Sequence, residues 1–155
     1  MSEENNELIS SINRIKNKMK LLTLINKAKA EYDKSNYEGC EEACRKILET
    51  EPENLTALRG MGCVMLSKAE KDKAVGYYKK ALELSDNKEI DYALLGTAYY
   101  IYDEFEEAIK YFNMAIDLNE NYDFAYEGRN QAMLERHIQI TDLQDRLIEN
   151  ELRKN

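Results

Sequence analysis

The hydrophobic and small residues of this chain recur every 34 residues over its central part. Four positions share this spacing, and three of them hold small or apolar residues while the fourth is aromatic in two copies. Their occupants are Ala28, Gly62 and Gly96; Cys40, Ala74 and Ala108; Cys44, Tyr78 and Phe112; and Ile47, Ala81 and Ala115. This period is typical of an array of helix–turn–helix units. The pattern therefore predicts three repeats, 21–54, 55–88 and 89–122, without strands.

Within each repeat, the pattern predicts two antiparallel helices. The predicted pairs are 21–34 with 37–50, 55–67 with 71–84, and 89–102 with 105–118. Ser35 and Asn36 favour a turn, and Pro52 closes the first repeat because proline cannot continue a helix. Small residues at the crossing let the paired helices approach closely, so we expect Gly62 to face Ala74.

Two further helices are predicted outside the repeats. The segment 1–20 carries most of an apolar stripe, whose residues recur at spacings of 4, 3, 4 and 3. This N-terminal stripe consists of Leu8, Ile12, Ile15, Met19 and Leu22. A stripe of this kind pairs with another helix, and its segment is either a separate helix or an extension of the first repeat helix. The segment 123–155 is predicted to be one long helix that caps the third repeat and projects beyond it.

The third repeat carries the most complete version of a known pattern of large, small and aromatic residues. The matching positions are Tyr92, Leu95, Gly96, Tyr99, Phe105, Ala108, Phe112 and Ala115. Residues 21–122 thereby resemble tetratricopeptide repeats, although the second repeat has Lys71 at an aromatic position and the first has Cys44 at another. The resemblance implies an all-α fold. It is a right-handed α-solenoid of antiparallel helix pairs, here with N-terminal and C-terminal flanking helices, whose first helices line a concave groove.

The register of the resemblance places a set of residues in this groove, from the first helix of each repeat and the start of the capping helix. They are Ile25, Lys29, Arg59, Cys63, Leu66, Ile90, Leu94, Thr97, Tyr100, Ile101 and Phe124. Most are apolar, which favours an apolar peptide or an amphipathic helix as the ligand.

One branch of the family binds the acidic C-termini of heat-shock chaperones through Lys, Asn and Arg at five groove positions. Those positions here hold Ile25, Lys29, Gly60, Ile90 and Leu94. None of them matches the residue that the family uses. The sequence therefore argues against an adaptor for chaperone tails.

The expected function is that of a non-catalytic protein-interaction module, an adaptor that binds an apolar or amphipathic peptide or helix. Three states of the groove remain open: it is free for a foreign chain, covered by the N-terminal stripe of the same chain, or buried in a homo-oligomer. A self-assembling scaffold subunit, joined through its N-terminal or C-terminal helix, is an alternative function. A small chaperone for secreted substrates is another, because type III secretion chaperones are similar in size, acidity, repeat number and N-terminal extension.

The charge of the chain bears on its partners. It carries 30 acidic and 22 basic residues, a net charge of −8. Phosphate neutralisation needs clustered Lys and Arg, so no nucleic-acid partner is expected. The third repeat, 89–122, is the most acidic, with eight acidic residues against one basic residue. Two interpretations remain open: the charges lie on solvated helix faces, or they favour partners with a basic surface.

Little in the sequence points to catalysis, metals or cofactors, and none of these is expected. His137 is the only histidine. Cys40 and Cys44 lie four residues apart without the further ligands that a zinc site needs. By the register of the repeats, Cys63 would be the one thiol in the groove. The number of cysteines is odd, and the sequence shows no export signal. It also lacks an apolar run of the roughly 18 residues that span a membrane. These features predict a cytoplasmic protein without a membrane partner.

Overall fold

The computed structural model describes residues 3–153 and shows seven α-helices there. They are α1 (Glu3–Asp33), α2 (Tyr37–Thr50), α3 (Leu55–Ser67), α4 (Lys71–Leu84), α5 (Lys88–Ile101), α6 (Phe105–Leu118) and α7 (Asp123–Leu152). No strand occurs between residues 3 and 153, and the predicted all-α fold is confirmed. Residues 1, 2, 154 and 155 of the predicted segments 1–20 and 123–155 lie outside the described residues.

The repeat helices lie where the periodic pattern places them. The bounds of α2, α3, α4 and α6 are those predicted, and α5 begins and ends one residue earlier than expected. The first helix is longer than one repeat requires, because α1 runs from the N-terminal segment through the first repeat helix without a break. No glycine or proline separates the two parts, so the segment is an extension of that helix.

By its internal contacts, the chain divides into two compact units, Met1–Leu84 and Ser85–Asn155. The first unit contains α1 to α4, and its core comes from the small and apolar repeat positions. The buried side chains are Ala28, Cys40, Ala43, Cys44, Ile47, Ala57, Leu58, Met61, Val64, Met65, Ala74, Tyr78 and Ala81. Each large one contributes about 1.5–3 kcal/mol by leaving water.

The second unit contains α5, α6 and α7. Phe112 of α6 lies at the centre of its core, with buried alanines from all three helices around it. Ala125 and Ala132 are the two buried residues of α7, while residues 136–153 are exposed. As predicted, α7 packs on the third repeat with its first part and leaves its second part free of the unit's core.

Each helix pair is joined by the same turn. Two residues beyond the end of the first helix lies a residue with positive φ, namely Ser35 (58°), Ala69 (58°) or Asp103 (59°). The next backbone N–H donates to the carbonyl five residues earlier, from Asn36 to Glu31 over 2.9 Å and from Glu70 to Met65 over 2.9 Å. This is the Schellman arrangement that satisfies the last carbonyls of a helix.

The glycine at each helix crossing accommodates an aromatic ring. A Cβ atom on Gly62 would lie 2.3 Å from Cε1 of Tyr78, and one on Gly96 would lie 2.9 Å from Cδ1 of Phe112. The sequence predicted that Gly62 faces Ala74. The three atoms nearest to a Cβ atom at Gly62 belong to Tyr78, one turn further along α4.

Candidate functional site

In the first unit, the predicted binding residues lie on α1 and α3, which contact each other. Ile25 is half-buried and Lys29, one turn later on α1, is exposed. Arg59, Cys63 and Leu66 recur at spacings of four and three on α3, so they share one face of that helix. All three are half-buried. The predicted residues of this unit therefore form accessible faces on two adjacent helices.

Cys63 connects this face to the core of the unit. The hydroxyl of Tyr78 donates a hydrogen bond to Sγ of Cys63 over 3.2 Å. Burial, followed by the interaction with Cys63, raises the pKa of Tyr78. The pKa of Tyr32 on α1 is also raised, first by the negative charge that Cys63 would carry and then by burial. Both phenols therefore stay protonated, and Tyr78 holds the Cys63 side chain in place.

Gly60, which the register also placed in the groove, is half-buried. A Cβ atom on Gly60 would lie 2.8 Å from Sγ of Cys44 on α2. The helix α3 thus passes so close to α2 that a larger residue at this position would require the Cys44 side chain to shift.

The three thiols differ in exposure, and this predicts a difference in reactivity. Cys40 and Cys44 are buried, whereas Cys63 is half-buried, and all are free. Burial raises the pKa of Cys44 to about 12 and also raises the pKa of Cys40. Because the thiolate is the reactive form, we expect a maleimide to modify Cys63 first in the folded protein and all three thiols after denaturation.

This difference is measured by mass spectrometry of the labelled peptides over time. The variant Cys63→Ser is the control, and it should remain unlabelled while it is folded. Labelling of Cys40 or Cys44 in the folded protein at the rate of Cys63 would contradict the predicted protection.

In the second unit, the predicted residues lie on α5 and α7, which also contact each other. Ile90, Leu94, Thr97 and Ile101 recur at spacings of four, three and four, so they share one face of α5. Ile101 is 51% exposed, and Phe124 in the first turn of α7 is 48% exposed. This unit thus presents large apolar side chains to solvent on both helices.

Two of the predicted residues, Tyr100 and Thr97, also make contacts within the second unit. The ring of Tyr100 packs against the core, with its centroid 5.9 Å from that of Phe105. The hydroxyl of Thr97 donates to the backbone carbonyl of Ala93 over 2.9 Å. Ala93 itself is fully buried, because it packs within the core formed by α5, α6 and α7.

The N-terminal stripe is exposed in the first unit. Its exposed fractions are 59% for Leu8, 43% for Ile12, 60% for Ile15, 65% for Met19 and 58% for Leu22. Side chains that packed over the faces of α1 and α3 would be shielded from solvent by them. Within the first unit, the stripe therefore leaves the predicted binding residues uncovered.

A groove that the sequence analysis missed lies between α1 and α2 in the first unit. Its volume is about 970 Å³, and it combines the aliphatic side chains of Leu21 and Leu24 with basic and acidic groups. Among these, Lys46 pairs with Glu42 over 2.5 Å. The groove arises because α1 is longer than α2, and no repeat position signals it.

Among the described residues, no cluster of side chains is suited to another kind of site. Within residues 3–153, no group of three or more His, Cys, Asp or Glu side chains is arranged to hold a metal ion. His137 is exposed on α7. Among the described helices, none combines the length and the apolar composition needed to cross a membrane.

No protein-family model matches the sequence, and no curated protein is similar to it. The fold, in contrast, has clear counterparts. The first tetratricopeptide repeat domain of Spaghetti (RPAP3), bound to the HSP90 peptide SRMEEVD, is similar with a TM-score of 0.66 and 18% identity, over 75% of this chain and 92% of that one. The TPR2B domain of yeast Sti1, in a complex with pHsp70, gives 0.67 and 17%, over 76% and 98%.

A mutant O-GlcNAc transferase of Thermobaculum terrenum is also similar, with a TM-score of 0.68 and 21% identity over 73% of this chain. The present chain spans only 22% of the length of that transferase. At these identities, the likeness establishes the fold. Together with the seven helices, it confirms the predicted tetratricopeptide-repeat fold.

Proposed function

Because the chain has the tetratricopeptide-repeat fold, we propose that it is a non-catalytic protein-interaction module that binds an apolar or amphipathic peptide or helix. The observation that carries this proposal is the set of accessible apolar side chains in the second unit. Leu94, which is half-buried, and Ile101, which is exposed, share one face of α5, and Phe124 is exposed in the first turn of α7. Repeat arrays bury their core apolar positions between neighbouring helices. Large apolar side chains that remain accessible therefore favour contact with a partner.

The spacing of this face suits a helical ligand. Apolar residues at intervals of three and four on α5 complement an amphipathic helix, whose own apolar residues recur at the same intervals. The surrounding repeat is strongly acidic, with Lys110 as the only basic residue among 89–122. We therefore propose that the polar side of the ligand is basic. In the first unit, Lys29 and Arg59 would border the contact.

The proposed ligand differs from the one that a related fold binds. The Spaghetti domain is bound to the HSP90 peptide SRMEEVD, which contains two glutamates and an aspartate. The positions at which the family places a basic clamp are apolar here at Ile25, Ile90 and Leu94. In addition, Gly60 has no side chain, and Cys44 lies next to it. An acidic peptide would lose its hydration without gaining charge-assisted hydrogen bonds.

The biological setting that we propose is an adaptor in the cytoplasm. All three cysteines are free, as is usual in a reducing compartment. A chaperone role toward secreted substrates would use the same apolar faces and would differ from a simple adaptor in the identity of the partner. A scaffold role would instead use contacts through the N-terminal or C-terminal helix.

Selection from a random peptide library tests the proposal. We expect enriched peptides with apolar residues at helical spacing and basic residues on the other side. Their affinity, measured by calorimetry, should fall about thirtyfold or more in the double variant Leu94→Glu/Ile101→Glu, because charges would replace two central apolar contacts. The peptide SRMEEVD should not bind to the wild type.

The matched control is Asn113→Glu/Asn121→Glu, which adds the same charge at exposed positions of the same unit. It should bind the enriched peptides with an affinity close to that of the wild type. Circular dichroism verifies that both variants are folded. Equal affinity in Leu94→Glu/Ile101→Glu and the wild type, or stronger binding of SRMEEVD than of the enriched peptides, would refute the proposed ligand class.

A further inference from the structure

The N-terminal part of α1 is an amphipathic helix with no partner in its own unit. All residues from 5 to 20 are exposed, including the first four members of the N-terminal stripe. Residues 8–22 contain four basic residues and no acidic one. Lys16 and Lys18 flank the stripe on its two sides, as helical geometry requires from their positions next to Ile15 and Met19.

The C-terminal part of α7 is a second amphipathic helix of this kind, with the opposite charge. We call the residues Met133, Ile140, Leu143 and Leu147 the C-terminal stripe. Their spacings of seven, three and four place them on one face of α7, and their exposed fractions are 52%, 41%, 54% and 65%. Residues 133–152, from the first residue of this stripe to the end of α7, contain five acidic residues and two basic residues.

We infer that the N-terminal stripe of one copy packs on the C-terminal stripe of a second copy, so that the protein assembles through α1 and α7. The N-terminal stripe and the C-terminal stripe are of similar length, about 20 Å at the 1.5 Å rise of an α-helix. Each presents an apolar seam of about two heptads, the surface through which two helices pair. Pairing shields from water the apolar side chains that each unit leaves exposed.

The charges of the two segments select this pairing over the alternatives. Two N-terminal segments, residues 8–22, would bring eight basic residues together with no acidic residue, and two C-terminal segments, residues 133–152, would bring ten acidic residues together with four basic ones. The mixed pair places four basic residues beside a segment with a net charge of −3. Complementary potentials across a contact suppress the like-charged pairings. A seam of two heptads is short, so we expect a weak association whose extent depends on the protein concentration.

Complementation between two variants tests this inference by analytical ultracentrifugation. Ile12→Glu/Met19→Glu alters the N-terminal stripe, and Leu143→Glu/Leu147→Glu alters the C-terminal stripe. All four positions are exposed in the single chain, so the fold should persist. We expect the wild type to self-associate as its concentration rises, and each variant alone to associate at least about tenfold more weakly.

An equimolar mixture of the two variants should form a one-to-one heterodimer, because it contains one intact surface of each kind. The control Ser10→Glu/Asn13→Glu carries the same charge change on the opposite side of α1, and it should associate like the wild type. Self-association of either stripe variant alone at the strength of the wild type would show a homotypic contact and overturn the inference. A wild type that stays monomeric at all concentrations would also overturn it. Neither result affects the peptide binding proposed above, which uses α5.

Discussion

Replacing Phe112 by alanine is expected to lower the free energy of unfolding of the second unit by about 3–5 kcal/mol. The ring is 2% exposed and lies against two glycines, Gly96 and Gly128, whose missing side chains make room for it. Removing the ring leaves a cavity that these glycines cannot fill. The loss combines the transfer of the ring to water with the unfilled space, which the surrounding helices close only in part.

The effect is measured by urea denaturation together with hydrogen exchange resolved by peptide. The matched control is Phe124→Ala, because this ring is 48% exposed on α7 of the same unit. It should change the free energy by only about 0.5 kcal/mol. Exchange should accelerate most in α5, α6 and α7, since stability in repeat proteins depends on local packing. A difference of less than about 1 kcal/mol between the two variants would contradict the central role of Phe112.

The substitution Gly62→Ala is expected to destabilise the first unit by about 1–3 kcal/mol, although alanine is the better helix former. Its Cβ atom would lie 2.3 Å from Cε1 of Tyr78. Tyr78 is fully buried, and its hydroxyl is bonded to Cys63, so the ring cannot move aside. The steric cost therefore exceeds the gain in helix propensity.

Gly76→Ala on α4 is the matched control, because no atom lies within 4 Å of its Cβ position. That substitution should stabilise the unit by about 0.5–1 kcal/mol. A further test is the background Tyr78→Leu, in which Gly62→Ala should cost less because the ring is absent. The measurement is chemical denaturation of all four variants. A stabilising effect of Gly62→Ala in the natural background would show that the packing of Tyr78 is looser than described.

The candidate site was predicted in part. Helical register placed Leu94, Ile101 and Phe124 on accessible faces, and the structure shows all three reaching solvent. Register alone did not show that a Cβ atom on Gly60, another groove position, would lie against Cys44 of α2. Whether these residues bind a ligand stays a prediction. The close approach at Gly60 has a simple origin, since the distance between α2 and α3 depends on side chains of both helices.

The number and type of the repeat helices could be predicted from the sequence, and so could the bounds of α2 to α6 to within one residue. The periodicity is local, and each helix is specified by residues within a few turns of one another. Pro52 and the Ser35-Asn36 pair marked helix ends for the same reason. The sequence also predicted the long C-terminal helix, but it left open whether the N-terminal segment is a separate helix or an extension of the first repeat helix.

Only the tertiary structure decided which residues face one another and which remain exposed. The contact between Gly62 and Tyr78 joins residues 16 positions apart on two helices. The positive φ of Ala69 is imposed by the pairing of α3 with α4, since alanine has no preference for that conformation. The N-terminal stripe was visible in the sequence, but its exposure followed from α1 extending past α2. Such features depend on packing between distant segments, which local periodicity does not encode.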